Sequence, residues 1–122
     1  MTRSRAPVLV VLALVAAGCG TAKSPELVPN GNSDRGKALI SHYGCGSCHT
    51  IPGIARADGR VGPSLDDFRH IRTIAGELPN TPDNATRWVQ DSKKIEPGTI
   101  MPAFHMSQRD ARDIVAYLYS RT

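Results

Sequence analysis

The chain has 122 residues, a length that predicts one small domain. Charged residues make up 21% and hydrophobic residues 40%, a balance typical of a folded globular protein rather than a disordered one. The formal net charge of +4 falls to +2 without the two arginines of the first five residues, which argues against a nucleic-acid-binding surface. Aromatic residues are 5% of the chain, so a domain of this size is short of large side chains for its core.

The N-terminus carries the three parts of an export signal. Two arginines lie in the first five residues, an uncharged and mostly apolar run follows, and small residues precede Cys19. The letters AAGC that end at Cys19 resemble the lipobox of bacterial lipoproteins, in which the cysteine becomes the lipidated first residue. We therefore predict a signal peptide over residues 1–18 and a lipid anchor on Cys19.

Two other outcomes for this N-terminus stay open, namely ordinary cleavage and an uncleaved membrane helix. The uncharged stretch 6–22 reaches the lower limit for spanning a bilayer about 30 Å thick, and Ala16 stands where lipoboxes usually have leucine. Residues 19–32 are predicted to form a linker, because prolines and glycines interrupt them and no apolar periodicity is present. The folded domain is then expected to cover residues 33–122.

The first helical pattern follows this linker directly. Ser33 is expected to cap its N-terminus, and Gly44 is expected to end it. Its apolar positions have the spacing of one helix face and are Gly36, Leu39, Ile40 and Tyr43. A shorter helical turn is predicted over residues 64–70.

Two further helices are predicted in the second half of the chain. One opens with Thr81 as its N-cap and Pro82 at its first position, and it ends at residues 97–98. The other begins at Ser107, with Asp110 placed three residues later as in a capping box. The apolar positions of the two helices are Ala85, Trp88, Val89, Ala111, Ile114, Val115 and Leu118. Because no segment predicts a strand, the fold class is all-α, with three main helices joined by long loops.

The motif Cys-Gly-Ser-Cys-His at residues 45–49 has the spacing of a c-type haem attachment site. Two thiols three residues apart can each bond one vinyl group of a porphyrin, while the adjacent imidazole of His49 reaches the iron. A zinc site would need a fourth ligand, and a thioredoxin-like redox pair is expected in a βαβ unit. We therefore predict one covalent haem c, which would also supply the apolar bulk that the core lacks.

A second axial ligand for this haem is predicted at Met101. Prolines on both sides of its segment, at residues 97 and 102, restrict the backbone, and a thioether is a soft, neutral ligand that raises the reduction potential. Met106 precedes a helix cap and is expected to pack against that helix. The remaining alternatives are an open site or one of the histidines, which are His42, His70 and His105.

With these motifs in place, the chain from residue 36 onwards resembles the class I cytochromes c, the small monohaem type. The resemblance is carried by CGSCH at 45–49, GPSL at 62–65, PGTIMP at 97–102 and the final helix. Residues 78–99 are especially similar to the cytochrome c domain of subunit II of some bacterial haem–copper oxidases. The resemblance implies the small cytochrome c fold, whose helices and long loops wrap around one covalent haem.

The resemblance also implies a role for each site residue. Cys45 and Cys48 would carry the thioether bonds, His49 would be the proximal iron ligand, and Met101 would be the distal one. The carbonyl of Pro63 would accept a hydrogen bond from the second ring nitrogen of the proximal histidine and so orient it.

Three further positions match the family. Arg60 and Trp88 match positions where relatives line the haem or its propionates; the alternatives are that Arg60 is simply solvated and Trp88 simply belongs to the core. Gly36 matches the crossing of the first and last helices, where glycine lets the two backbones approach closely.

The function that follows is electron transfer, so the chain is predicted to be an electron carrier and not an enzyme. It would take single electrons from a donor such as a quinol-oxidising complex and pass them to a terminal oxidase, on the periplasmic face of a bacterial membrane to which its lipid tethers it. Nucleic acid is not an expected partner. Two alternatives are a permanent oxidase subunit and, in another class, a haem-based gas sensor or small peroxidase with a labile distal methionine.

Overall fold

The computed structural model describes Met1 and residues 26–121. The predicted signal peptide beyond its first residue, Cys19 and residues 20–25 of the predicted linker lie outside this part. No helix of the described residues is long and apolar enough to cross a membrane. The regular structure of the described chain is mostly helical, with little strand.

The elements follow one another in a simple order. Among the described residues there are four α-helices, which are α1 (Ser33–His42), α2 (Pro82–Gln90), α3 (Ser92–Ile95) and α4 (Gln108–Ser120). Two 3₁₀ helices cover Cys45–Ser47 and Phe68–His70. Two short strands, β1 (Thr73–Ile74) and β2 (Leu78–Pro79), form an antiparallel pair. Helix α4 packs against both α1 and α2.

The short β-hairpin corrects the prediction that the chain has no strand. Thr73 pairs with Pro79 and Ile74 with Leu78. Ala75 and Gly76 between the strands both have positive φ, and the N–H of Glu77 donates to the carbonyl of Ile74 at 2.9 Å, as in a type I′ turn. This turn is hard to predict from the sequence. Its first central residue is Ala75, and alanine rarely adopts the left-handed conformation that asparagine often takes at this position.

The second predicted helix is divided in two, which gives four α-helices rather than three within residues 26–121. As predicted, Thr81 caps α2 and Pro82 lies in its first turn. Asp91 then interrupts the helix with an extended φ of −153°, and its carboxylate accepts a hydrogen bond from the N–H of Lys94 at 3.2 Å. Because an aspartate side chain can replace a helical partner of the backbone, this residue ends α2 and begins α3.

The start of α1 lies one residue earlier than predicted. Asn32, and not Ser33, is the N-cap, since its side chain accepts a hydrogen bond from the N–H of Arg35 at 2.8 Å. Val28 is buried with 3% of its surface exposed, and its carbonyl accepts from the N–H of Gly31 at 3.1 Å. The end of the predicted linker therefore packs against the domain.

The junction of α1 and α4 combines close backbone packing with ion pairs. A Cβ atom on Gly36 would lie 1.9 Å from the carbonyl oxygen of Asp113, so this crossing needs a glycine. Arg35 forms ion pairs with both Asp110 and Asp113 across the same junction. Ser107 caps α4 as predicted, but the carboxylate of Asp110 pairs with Arg35 rather than completing a capping box.

Candidate functional site

A cavity lies between α1, α2, α4 and the loops that connect them. Three of its lining side chains carry donor atoms, which are the thiol of Cys45, the imidazole of His49 and the thioether of Met101. The others are apolar and are Ile40, Ile51, Leu65, Val89, Phe104, Ile114 and Leu118. The arrangement is an apolar container whose wall presents one nitrogen donor and two sulphur donors.

The cysteine–histidine motif reaches this cavity through a tight turn. The 3₁₀ helix Cys45–Ser47 follows Gly44, whose φ of +70° ends α1 as predicted. The N–H of His49 donates to the carbonyl of Cys45 at 3.0 Å, so the two cavity-lining residues lie one turn apart. Cys48 is half-buried and is not among the side chains that line the cavity.

The loop over residues 57–62 covers the motif at close range. The N–H of Gly59 donates to the carbonyl of Gly46 at 3.1 Å, and the N–H of Gly62 donates to the carbonyl of Cys48 at 2.8 Å. A Cβ atom on Gly59 would lie 2.5 Å from the backbone of Ser47. These glycines let two backbone segments stack where side chains would keep them apart, and the stack fixes the motif.

The imidazole of His49 is oriented by its neighbours. Its Nδ1 lies 2.7 Å from the carbonyl oxygen of Pro63. Because a carbonyl oxygen can only accept, this contact assigns the ring proton to Nδ1 and leaves the lone pair of Nε2 free for a metal ion. On the same loop, a Cβ atom on Gly62 would lie 2.4 Å from Cε1 of the ring, so the absence of that atom makes room for the imidazole.

The surroundings of Cys45 argue against the two rival interpretations of its motif. Burial raises the pKa of its thiol to about 11, and the neighbouring Cys48 adds to the rise. A cysteine of a redox-active pair has a lowered pKa instead. No cluster of three or more potential metal ligands from histidine, cysteine, aspartate and glutamate occurs within residues 26–121. That part of the chain also contains no βαβ unit.

Met101 lines the cavity on a segment held by several hydrogen bonds. Its N–H donates to the hydroxyl of Thr99 at 3.3 Å, and its carbonyl accepts from the hydroxyl of Ser92 at 3.0 Å. Earlier in the same segment, the N–H of Thr99 donates to the carbonyl of Glu96 at 3.0 Å. The thioether thus reaches the cavity from a backbone with little freedom to move.

The alternative ligands considered for this position lie elsewhere. Met106 is buried with 6% of its surface exposed and does not line the cavity. His42, His70 and His105 are exposed. His70 pairs with Asp67, and Nδ1 of His105 lies 3.6 Å from Asp91. The location of these side chains favours Met101 as the partner of His49.

The structure does not bring Arg60 and Trp88 to the cavity wall. Arg60 is exposed. Trp88 is 8% exposed and belongs to the hydrophobic core next to Val89, which does line the cavity. A role for either side chain toward a haem propionate stays a prediction.

A comparison with protein families decides the class of the molecule. The family model for cytochrome c matches residues 33–122. The chain belongs to the cytochrome c family. This membership confirms the resemblance to the class I monohaem cytochromes that the motifs indicate.

The relatives of this cytochrome c include much longer proteins. It is 32% identical over 89 residues to cytochrome c oxidase subunit 2 of Alkalihalophilus pseudofirmus, a match that covers 72% of this chain and 25% of the relative. It is 28% identical over 103 residues to the subunit 2 of Bacillus sp. (strain PS3), covering 81% and 28%. The subunit 2 of Bacillus subtilis is 29% identical over 87 residues, covering 70% and 24%. The chain therefore spans about a quarter of the length of the curated relatives it matches.

The residues of this cytochrome c fit the haem that its family implies. A haem needs an apolar container, and the cavity wall is apolar apart from its donor atoms. It also needs an imidazole with a free Nε2, and the contact with the Pro63 carbonyl provides one. The thiols of Cys45 and Cys48 are free, as covalent attachment requires.

Several residues of the site carry no signal in the sequence. Phe104 and Ile51 line the cavity, yet neither belongs to a helical stripe or a motif. Ser92 is fully buried and bonds the Met101 segment, but an isolated serine before two lysines has the pattern of a solvated turn. Gly62 belongs to the GPSL motif at residues 62–65, but its close approach to the His49 ring is visible only in the folded structure.

Proposed function

We propose that this chain is a membrane-tethered monohaem c-type cytochrome that transfers single electrons in an extracytoplasmic respiratory chain, to a terminal oxidase. One observation carries this proposal. Cys45, His49 and Met101 line a single apolar cavity, in which the Pro63 carbonyl leaves Nε2 of His49 free. This donor set is the one expected for a six-coordinate haem c with histidine and methionine ligands.

The residues that would hold the haem divide into covalent and axial partners. Cys45 and Cys48 would bond it through their sulphur atoms, while Nε2 of His49 and Sδ of Met101 would bind the iron. When bound, haem c supplies the one-electron oxidation and reduction of its iron. The thioether is neutral and soft, so it favours the ferrous state and raises the reduction potential.

The cavity wall supports electron transfer better than catalysis. Apart from the motif residues, the lining side chains are apolar and offer no acid, base or nucleophile to a substrate. His49 keeps its proton at Nδ1 on the Pro63 carbonyl and has Nε2 for the metal, so the ring is not available for acid–base work. An electron carrier needs no further groups, because exclusion of water and fixed axial ligands set its potential.

The relatives suggest the electron acceptor. Those named above are subunits of cytochrome c oxidase, and the match to each covers about a quarter of its length. We infer that the present chain, which is similar to that region, delivers electrons to an oxidase. Its donor would be a quinol-oxidising complex, and a lipid on Cys19 would keep it at the periplasmic face of the membrane.

Rapid mixing tests this function. The reduced protein is mixed with membranes that contain a haem–copper oxidase and oxygen, and the loss of its reduced absorption bands is followed. We expect fast oxidation that cyanide blocks, with no oxidation of small organic donors by peroxide. Slow, cyanide-insensitive oxidation together with peroxide turnover would contradict the proposal and favour the small-peroxidase alternative.

Purification in mild detergent separates a shuttle from a permanent oxidase subunit. A shuttle is expected to leave the oxidase at the first column, because a weak and transient contact dissociates on dilution. Co-elution with the copper-containing subunits at constant stoichiometry would identify the chain as a subunit.

A further inference from the structure

Ser92, the first residue of α3, is a buried polar residue next to the Met101 segment. None of its surface is exposed. Its hydroxyl donates to the carbonyl of Met101 at 3.0 Å, with the carbonyl of Pro102 at 3.4 Å. Burying a hydroxyl without a hydrogen bond costs free energy. The bonds to the Met101 segment therefore allow Ser92 to be buried at this place.

The chain turns back on itself to bring Ser92 and Met101 together. The N–H of Glu96 donates to the carbonyl of Ser92 at 2.9 Å, and the N–H of Thr99 donates to the carbonyl of Glu96 at 3.0 Å. Asp91 caps α3 by accepting from the N–H of Lys94, which fixes where this turn begins. The Ser92 hydroxyl closes the turn by joining its first residue to the residue that presents the thioether.

Both backbone polar groups of Met101 are therefore bonded within this turn. Its carbonyl accepts from Ser92, and its N–H donates to the hydroxyl of Thr99 at 3.3 Å. Two bonds on opposite sides of one Cα atom restrict φ and ψ together, and they fix the direction in which the side chain leaves the backbone. Both bonds are made by the backbone of Met101 and neither involves its thioether sulphur.

We propose that Ser92 is the positioning residue for Met101, holding its thioether against the cavity through the backbone carbonyl. The proposal rests on the function proposed above, since it assumes that Met101 binds the iron. Removing the hydroxyl would leave the loop free to move and the sulphur free to dissociate. The fraction of molecules with an open sixth position would then rise.

Carbon monoxide measures this fraction, because it binds ferrous haem only while the methionine is away. For Ser92→Ala we expect CO to bind about fivefold faster, the change that loss of one buried hydrogen bond produces. We also expect the weak red absorption band of the ferric iron–methionine bond to decrease. A merely structural serine would lower the melting temperature and leave both optical readouts unchanged.

Thr86→Val is the matched control. Thr86 is also buried, with 2% of its surface exposed, and its hydroxyl donates to the carbonyl of Pro82 at 2.7 Å within α2. This variant loses a buried hydroxyl but keeps the Met101 segment intact, so its CO rate and red band should equal those of the wild type. Equal CO rates for Ser92→Ala and Thr86→Val would overturn the proposal.

A second variant decides the question if Ser92→Ala does not accumulate. Thr99 is partly exposed, and Thr99→Val removes the acceptor of the Met101 N–H without opening the core. We expect a smaller rise in CO binding, about twofold, and an unchanged rate would then overturn the proposal. A wild-type protein that already binds CO freely would instead overturn the proposed function itself.

Discussion

His49 is held on two sides of its ring. The Pro63 carbonyl lies 2.7 Å from Nδ1, and the backbone of Gly62 leaves no room for a methyl group beside the ring. The hydrogen bond sets the tautomer, and the close backbone sets the plane of the ring. Gly62 ends the loop over residues 57–62, which also bonds the motif backbone, and Pro63 follows it directly, so one segment makes both contacts.

Gly62→Ala tests this arrangement. The new Cβ would lie 2.4 Å from Cε1 of His49, so the ring must rotate or the loop must move away. We expect less low-spin haem in the absorption spectrum and a loss of about 2 kcal/mol in the free energy of unfolding. Both are measured on the purified protein, by optical spectroscopy and by urea titration.

Gly76→Ala is the control for this prediction. Gly76 has a φ of +75°, so alanine there costs about 1 kcal/mol, but its Cβ would touch nothing within 4 Å. Its absorption spectrum should match the wild type. A Gly62→Ala protein with the same spectrum as Gly76→Ala would refute the role assigned to the close contact.

Single residues were predictable where their spacing has a chemical meaning. The roles proposed for Cys45, Cys48 and His49 follow from the sequence, because covalent attachment and iron ligation would need that order of side chains. The Pro63 carbonyl could be named through family resemblance alone, since a backbone acceptor leaves no mark in a sequence. Ser92 could not be found at all, because its importance depends on a turn that only the fold reveals.

Among the elements, the junction of α1 and α4 depends on Gly36. A Cβ there would lie 1.9 Å from the Asp113 carbonyl oxygen, which belongs to the backbone and cannot rotate away. We expect Gly36→Ala to lose about 3 kcal/mol of unfolding free energy in a urea titration, although alanine is the better helix former by about 1 kcal/mol.

Ala38→Gly, at an exposed position of the same helix, provides the comparison for that loss. It should lose about 1 kcal/mol, the ordinary cost of glycine in a helix. If Gly36→Ala were as stable as the wild type, the two helices would not need their close approach.

The ion pairs of the same junction predict how stability depends on pH. Hydrogen bonding by Arg35 lowers the pKa of Asp110, with smaller contributions from Ser107 and Tyr43. A carboxyl group with a lowered pKa in the folded state stabilises the protein above its unfolded pKa of about 3.9. This stabilisation is lost as the pH falls from there through the folded pKa.

We therefore expect Asp110→Asn to be less stable than the wild type at pH 7 and to approach it as the pH falls below the unfolded pKa of about 3.9. The urea midpoint of each protein measured across this range gives the comparison. Asp66→Asn, which changes an exposed aspartate away from this junction, should keep the acid-induced loss of the wild type. If Asp110→Asn lost as much stability on acidification as the wild type, the ion pair between Asp110 and Arg35 would not contribute to the free energy of unfolding.

The helices and strands could be predicted where capping residues and helical spacing mark them in the sequence. The caps Thr81 and Ser107 were placed correctly, because each side chain bonds a free N–H of the first turn. The break at Asp91 was missed, since no proline or glycine marks it before residue 97 and the aspartate side chain interrupts the backbone instead. The hairpin was missed because its turn uses Ala75 at a positive φ.

At the scale of the whole molecule, the shortage of aromatic residues and the apolar cavity have one explanation. Trp88, Phe68, Tyr117 and Tyr119 are all buried, yet α1, α2 and α4 still leave an apolar cavity between them. A small domain buries a smaller fraction of its surface than a large one, so its stability is marginal. A covalent haem in the cavity would supply the missing core, so stability and redox function would depend on the same group.

In the proposed account, the lipid on Cys19 sets where the molecule is held, and the haem site sets its reduction potential independently. Exporting residues 21–122 behind a non-lipid signal removes Cys19 while keeping the cavity. We expect the membrane-dependent oxidation rate at micromolar protein to fall about 100-fold, because the anchor provides a high local concentration. The reduction potential, measured by optical titration, should stay unchanged; a large shift would contradict this separation of roles.

The most direct test of the account is an optical spectrum of the reduced protein before and after addition of CO. We predict a low-spin c-type spectrum that CO leaves unchanged on mixing and alters only slowly, because in the proposed account Met101 holds the sixth position and Ser92 positions Met101. A clear shift on adding CO would contradict the electron-carrier account and point to a labile site for gas sensing or peroxide chemistry.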